Sequence, residues 1–214
     1  MILPRKESNV VDLKTEEFSK TAHSFWILFI STKTSPVPSS FTQDLSDLDK
    51  IRHQALLGFT AIEAALAAHW QTEILPHWTE FLCLVSAIKN SKDSQILDSK
   101  KKSKAFESLS FIKGTTQPSR FSPSLGDYGM IWSFLHSESY SLRPAHQEFR
   151  ELLLVGQMIR NSIFHVGRGL SQTEANQALE IIENISKCAS KLHPIFAEVF
   201  KKANGLETPH LEAA

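Results

Sequence analysis

From Leu45 to Trp70 apolar side chains return every three or four residues, at Leu45, Leu48, Ile51, Ala55, Phe59, Ile62, Leu66 and Trp70. That period gathers them on one side of an α-helix but scatters them over both sides of a strand, so only a helix can bury them together. The alanines of "AIEAALAAHW" add strong helix propensity. Pro76 then interrupts the pattern, which "HWTEFLCLVSAIKN" resumes through Trp78, Phe81, Leu82, Val85 and Ile88. Two antiparallel helices and one kinked helix both fit this stretch.

The same period governs much of the remaining chain. In "KTEEFSKTAHSFWILFISTK" Phe18, Ala22, Phe25, Trp26, Phe29 and Ile30 fall at helical spacing, although Phe25 to Ile30 alone also reads as a strand. "TSPVPSS" after it is a linker. Residues 90–123 are rich in Ser and Lys and form an exposed insertion. Further on, Ser124 with Asp127 caps a helix carrying Ile131, Phe134 and Leu135, and Pro144 suits the first turn of the next. That helix has a core stripe of Phe149, Leu152, Leu153, Gly156, Ile159 and Ile163, and Gly167 and Gly169 stop it. Ser171 and Glu174 form a capping-box pattern before a long helix that Pro194 is expected to kink. No alternating strand set and no internal repeat is present. The expected fold is all-α, an antiparallel helical bundle. Residues 1–40 form an N-terminal helical extension and linker, 41–206 the main helical domain containing the insertion, and 207–214 a flexible tail.

Its 214 residues, 42% of them hydrophobic, suffice for a core without staples. Charges balance at 23 basic and 23 acidic residues, so any nucleic-acid binding must use a local basic patch rather than a global field. Cys83 and Cys188 each sit in an apolar helical pattern without a CxxC partner and read as buried thiols in a reducing compartment. The first residues lack the basic-then-apolar order of a secretory signal, and apolar stretches such as "FWILFI" are too short for a membrane span. A soluble, cytoplasmic protein that makes no membrane contact is expected.

Chemistry concentrates in "GQMIRNSIFHVGRGL", where Arg160 precedes His165 by five positions. On a helix five positions turn about 500°, so the two side chains stand roughly 140° apart, flanking the Ile159/Ile163 stripe. Asn161, four residues before His165, is placed to hold the imidazole in one orientation. Spacing alone also suits a plain helix terminus, with Arg160 complementing the dipole and His165 capping carbonyls. The wider segment "IRNSIFHVGRGLSQTEANQALEII" resembles the HEPN family of helical domains, whose signature is an arginine, four to six residues and a histidine, commonly with Asn after the Arg. The likeness extends to the glycine-containing turn, the helix beginning near Ser171 and the upstream "SLGDYGMIW". It covers residues 124–186, while 44–90 fit in helical pattern alone. Residues 1–40 and 90–123 inherit nothing from it.

This resemblance implies metal-independent endoribonuclease activity, in which the RNA 2′-hydroxyl attacks the adjacent phosphorus to leave a 2′,3′-cyclic phosphate and a 5′-hydroxyl. His165 would be the general acid/base, Arg160 the electrostatic stabiliser and Asn161 the orienting residue. Family members pair two motif helices across a two-fold axis, so a homodimer with a composite site is implied, as is a toxin or defence effector with an antitoxin or regulatory protein as partner. Weaker RNA contacts are assigned to Arg168 and to Lys100, Lys101, Lys102 and Lys104, for which a solvated surface is the competing account. No cofactor is implied. His53, His69, His77, His136 and His146 form no HxxxH or HExxH pair, which speaks against a metal site. Trp26, Trp70, Trp78 and Trp132 fall on apolar faces and belong to the core. The alternatives are a non-catalytic domain of the same type binding a nucleotide or protein, and a helical adaptor acting through an amphipathic face.

Overall fold

A computed structural model describes residues 13–34, 46–90, 124–136, 142–164 and 171–201. Every regular element among them is helical. In chain order these are α1 (Leu13–Thr34), α2 (Asp47–His69), α3 (Trp78–Asn90), α4 (Leu125–His136), α5 (Pro144–Phe164), α6 (Gln172–Leu192) and α7 (Pro194–Lys201). Among the described residues no helix is long and apolar enough to cross a membrane.

Several helix starts are fixed by serine caps, of which Ser124 and Ser171 were expected. Ser46 accepts a hydrogen bond from the Asp49 amide at 3.2 Å to begin α2, and Ser124 accepts from the Asp127 amide at 3.2 Å to begin α4. At α6 the capping box is complete: Ser171 Oγ accepts from the Glu174 amide at 3.3 Å, while the Glu174 carboxylate accepts from the Ser171 amide at 2.8 Å. Pro144 opens α5, where its missing N–H costs no intrahelical bond.

After α2 the chain passes through a π-helical turn, Trp70–Ile74, and a 3-10 turn, Leu75–His77, before α3. Backbone angles stay in the right-handed helical region through this junction, so Pro76 sits in a distorted, continuous helical path rather than a hairpin. Pro194 acts more severely than the expected kink. It ends α6 at Leu192 and starts a separate helix, because a residue preceding proline is pushed out of the helical region and His193 adopts φ −148°, ψ 138°.

Contacts along neighbouring helices run in opposite directions, as an antiparallel bundle requires. Along α1 and α2, Thr32 O accepts from Gln54 Nε2 at 2.6 Å, while Phe29 lies against Gly58. Along α4 and α5, Gly126 meets Gln157, Gly129 meets Leu153 and Trp132 meets Phe149. The core between these layers holds Phe29, Phe59, Ile62, Leu66, Trp70, Tyr128, Trp132, Phe149, Leu153, Ile182 and Phe196, all essentially buried. Gly58 permits the close crossing of α2 and α6, since a Cβ there would lie 2.8 Å from both Cδ1 and Cγ2 of Ile182 and 3.0 Å from Phe29.

The helix assigned to an N-terminal extension contributes Ala22, Trp26 and Phe29 to this core. Trp26 Nε1 donates to Phe200 O at 3.0 Å, which ties α1 to α7. Trp26, Trp70 and Trp132 are buried as expected, and the partly buried Trp78 packs edge-on against Trp70. Cys188 is buried, but Cys83 is exposed. In α3 the core takes Phe81, and two residues further on the helix has turned by about 200°, which carries Cys83 away from it.

Candidate functional site

The core stripe of α5 decides where its polar residues emerge. Phe149, Leu153 and Gly156 are buried at successive turns, and Ile159 and Ile163 pack partly buried in line with them. Arg160 and Asn161 therefore leave the helix beside that stripe, close to its C-terminal end.

Arg160 is held from two directions. Its Nε lies 3.2 Å from Glu63 Oε1 on α2, an ion-pair contact in which the N–H is not aligned for a hydrogen bond. Its guanidinium carbon stands 4.2 Å from the centroid of the Phe164 ring, one turn further along α5. The Arg160 and Glu63 side chains are 31% and 30% exposed, so the pair is partly withdrawn from water yet reachable from it. Burial pushes the Glu63 carboxyl above its ordinary pKa, and the adjacent Arg160 charge pulls it back only in part.

Asn161 has a neighbour one turn back along α5. Its Oδ1 accepts from Gln157 Nε2 at 2.9 Å, and Gln157 Oε1 in turn accepts from the Gly126 amide at 3.2 Å. Gln157 thus links the first turn of α4, where unpaired amides are available, to Asn161. His165 and Arg168, with Lys100, Lys101, Lys102 and Lys104, lie outside the described residues. Arg160 and Asn161 are brought together with two residues that the sequence did not single out, Glu63 and Gln157. Glu63 is remote in sequence and no spacing rule connects it to Arg160. Gln157 stands four residues before Asn161, a spacing at which helix side chains meet, and was open to detection.

A second gathering of ionisable groups lies inside the bundle. His69 is 2% exposed, and its Nδ1 is hydrogen-bonded to the Tyr128 hydroxyl. Its ring stands 4.4 Å from that of His193, whose Nε2 is 3.7 Å from Glu73. His136 and His146 stack at 4.4 Å, with the Trp132 ring 3.9 Å from His136. Burial, reinforced by the neighbouring His193 and His136, holds His69 well below the usual imidazole pKa. Burial with His146 and His193 nearby brings His136 down to about 3. Burial likewise pushes the Tyr128 phenol well above its ordinary value. His69, Tyr128 and His136 are therefore neutral near pH 7; His69 and Tyr128 are fully enclosed, whereas His136, His146 and His193 are only partly buried. No set of three or more metal-ligating side chains is assembled among the described residues.

An open pocket of about 580 Å³ lies elsewhere, lined by Trp26, Ile30 and Phe200 with Lys187 and Lys191. Neither Arg160 nor Glu63 borders it.

Comparison with family models, with curated proteins and with solved structures returns no match.

Proposed function

We propose that this chain is a metal-independent endoribonuclease of the HEPN type, working as a homodimer. The observation that carries the reading is Arg160 itself: a guanidinium held in place at the end of α5, partly exposed, five residues before His165. A planar, permanently charged donor fork suits a phosphorane-like transition state, whose negative charge exceeds that of the ground-state phosphodiester. His165 moves the proton, either from the 2′-hydroxyl as it attacks or to the departing 5′ oxygen. The P–O2′ bond forms, the P–O5′ bond breaks, and the products carry a 2′,3′-cyclic phosphate and a 5′-hydroxyl. Asn161 orients the site, and Arg168 with Lys100, Lys101, Lys102 and Lys104 binds RNA phosphates away from the scissile bond.

One imidazole does not conveniently act as base and acid in the same step, so a second copy supplies the other histidine. Exposed Met158 and Phe164, 63% and 39% accessible on α5 beside Arg160, give that helix the apolar surface a partner copy would cover. The biological setting is that of a toxin or defence effector restrained by an antitoxin or regulatory protein, and it follows from the family resemblance.

The test is incubation of total and transfer RNA with the purified chain in EDTA, beside His165→Ala, followed by analysis of product ends. Cyclic-phosphate and 5′-hydroxyl ends from the wild type alone are expected, and DNA, lacking the 2′-hydroxyl, is not cut. Equal cleavage by both proteins would remove His165 from the site, and silence from both would favour a non-catalytic binding domain.

A further inference from the structure

We infer that Glu63, on α2 and outside the Arg160–His165 segment, is a positioning residue that fixes the Arg160 guanidinium for the scissile phosphate. The inference rests on the ribonuclease reading of the same site. An arginine one turn from the end of a helix has a long side chain with many rotamers, and a transition state is stabilised well only by donors already in place. Two contacts remove that freedom here. Glu63 engages the Nε edge at 3.2 Å, and Phe164 lies against the guanidinium carbon at 4.2 Å. Together they restrict where the guanidinium can lie.

Stability alone gives little reason for a carboxylate at this position. Burial works against the charged form of Glu63 and Arg160 compensates it only in part, whereas an uncharged side chain would avoid that cost. A charge retained where folding does not favour it is a candidate for a role in function, and here it is the carboxylate that lies against Arg160.

The pair also affects binding and catalysis differently. With Glu63 beside it, Arg160 presents little net charge to the singly charged ground-state phosphodiester. The transition state carries more negative charge and gains more from the aligned donors. Glu63 therefore acts on the chemical step more than on RNA binding.

The experiment measures kcat and KM for RNA cleavage in EDTA by the full chain and by Glu63→Gln and Glu63→Asp, with circular dichroism and thermal unfolding of each. Expected for Glu63→Gln is a loss of about 10- to 100-fold in kcat with KM unchanged or lower, the range that small misplacements of a catalytic group produce. Glu63→Asp, which keeps the charge but withdraws it, is expected to fall between Gln and the wild type. Wild-type kcat in Glu63→Gln, a raised kcat, or a change confined to KM or thermal unfolding would overturn the inference while leaving the ribonuclease reading in place. Absence of cleavage by the wild type would overturn both.

Discussion

The end of α5 and the interior between α2, α4 and α7 both collect ionisable side chains, but their surroundings give those groups opposite roles. Around Trp132 and Phe196 four histidines come together, more imidazole than many active sites contain, and burial, complete for His69 and partial for His136, holds both neutral. At the end of α5 a single arginine is partly exposed and opposed by a single carboxylate. A count of titratable residues would choose the first region. Exposure, and a charge kept against the cost of burial, choose the second.

That contrast can be broken most forcefully at Trp132. The side chain is fully buried among His69, His136, His146, Phe149 and Phe196, so Trp132→Ala is expected to remove about 3–5 kcal/mol of stability. Chemical denaturation measures the loss. The fraction that stays folded should cleave RNA at the wild-type rate, and a specific defect in that fraction would bring the histidine cluster into the reaction.

A smaller effect is expected from pH. His69 and His136 have folded-state pKa values below the unfolded value of about 6.5, so the unfolded chain binds the extra protons. Their contribution is fully present above pH 6.5 and is lost as pH falls from there, for His136 down to about 3, at up to about 1.4 kcal/mol per pH unit for each group. Urea unfolding at pH 7.5, 6 and 5 should show falling stability, with a shallower slope in His136→Phe. A flat profile would mean that the cluster accepts protons while folded.

The smallest expected effect sharpens the other side of the comparison. Gln157→Leu removes the link between Asn161 and the Gly126 amide. A loss of about 1 kcal/mol in transition-state stabilisation, about fivefold in kcat/KM, is expected if Asn161 is held for catalysis. Unchanged kinetics would reduce Gln157 to a helix-joining residue.

What was legible in the sequence was local. The Ser171/Glu174 box, the Ser124 cap, Pro144 in a first turn and the apolar stripe of α5 depend on residues a few positions apart, and each is present as expected. Cys83 and Pro194 were misjudged because periodicity does not say how far a helix faces the core, or whether proline bends a helix or ends it. Glu63 was illegible for a different reason. Its contact with Arg160 exists only after α2 and α5 pack together, and nothing near either residue announces it.

The most direct measurement is the rate at which the purified chain cleaves transfer RNA in EDTA, beside Arg160→Ala of matched helical content. Cleavage by the wild type and a loss of about 100- to 1,000-fold in the variant, with thermal unfolding little changed, is the expected result. Equal rates in the two proteins, or cleavage that appears only when a divalent metal is supplied, would contradict a catalytic arginine at the end of α5.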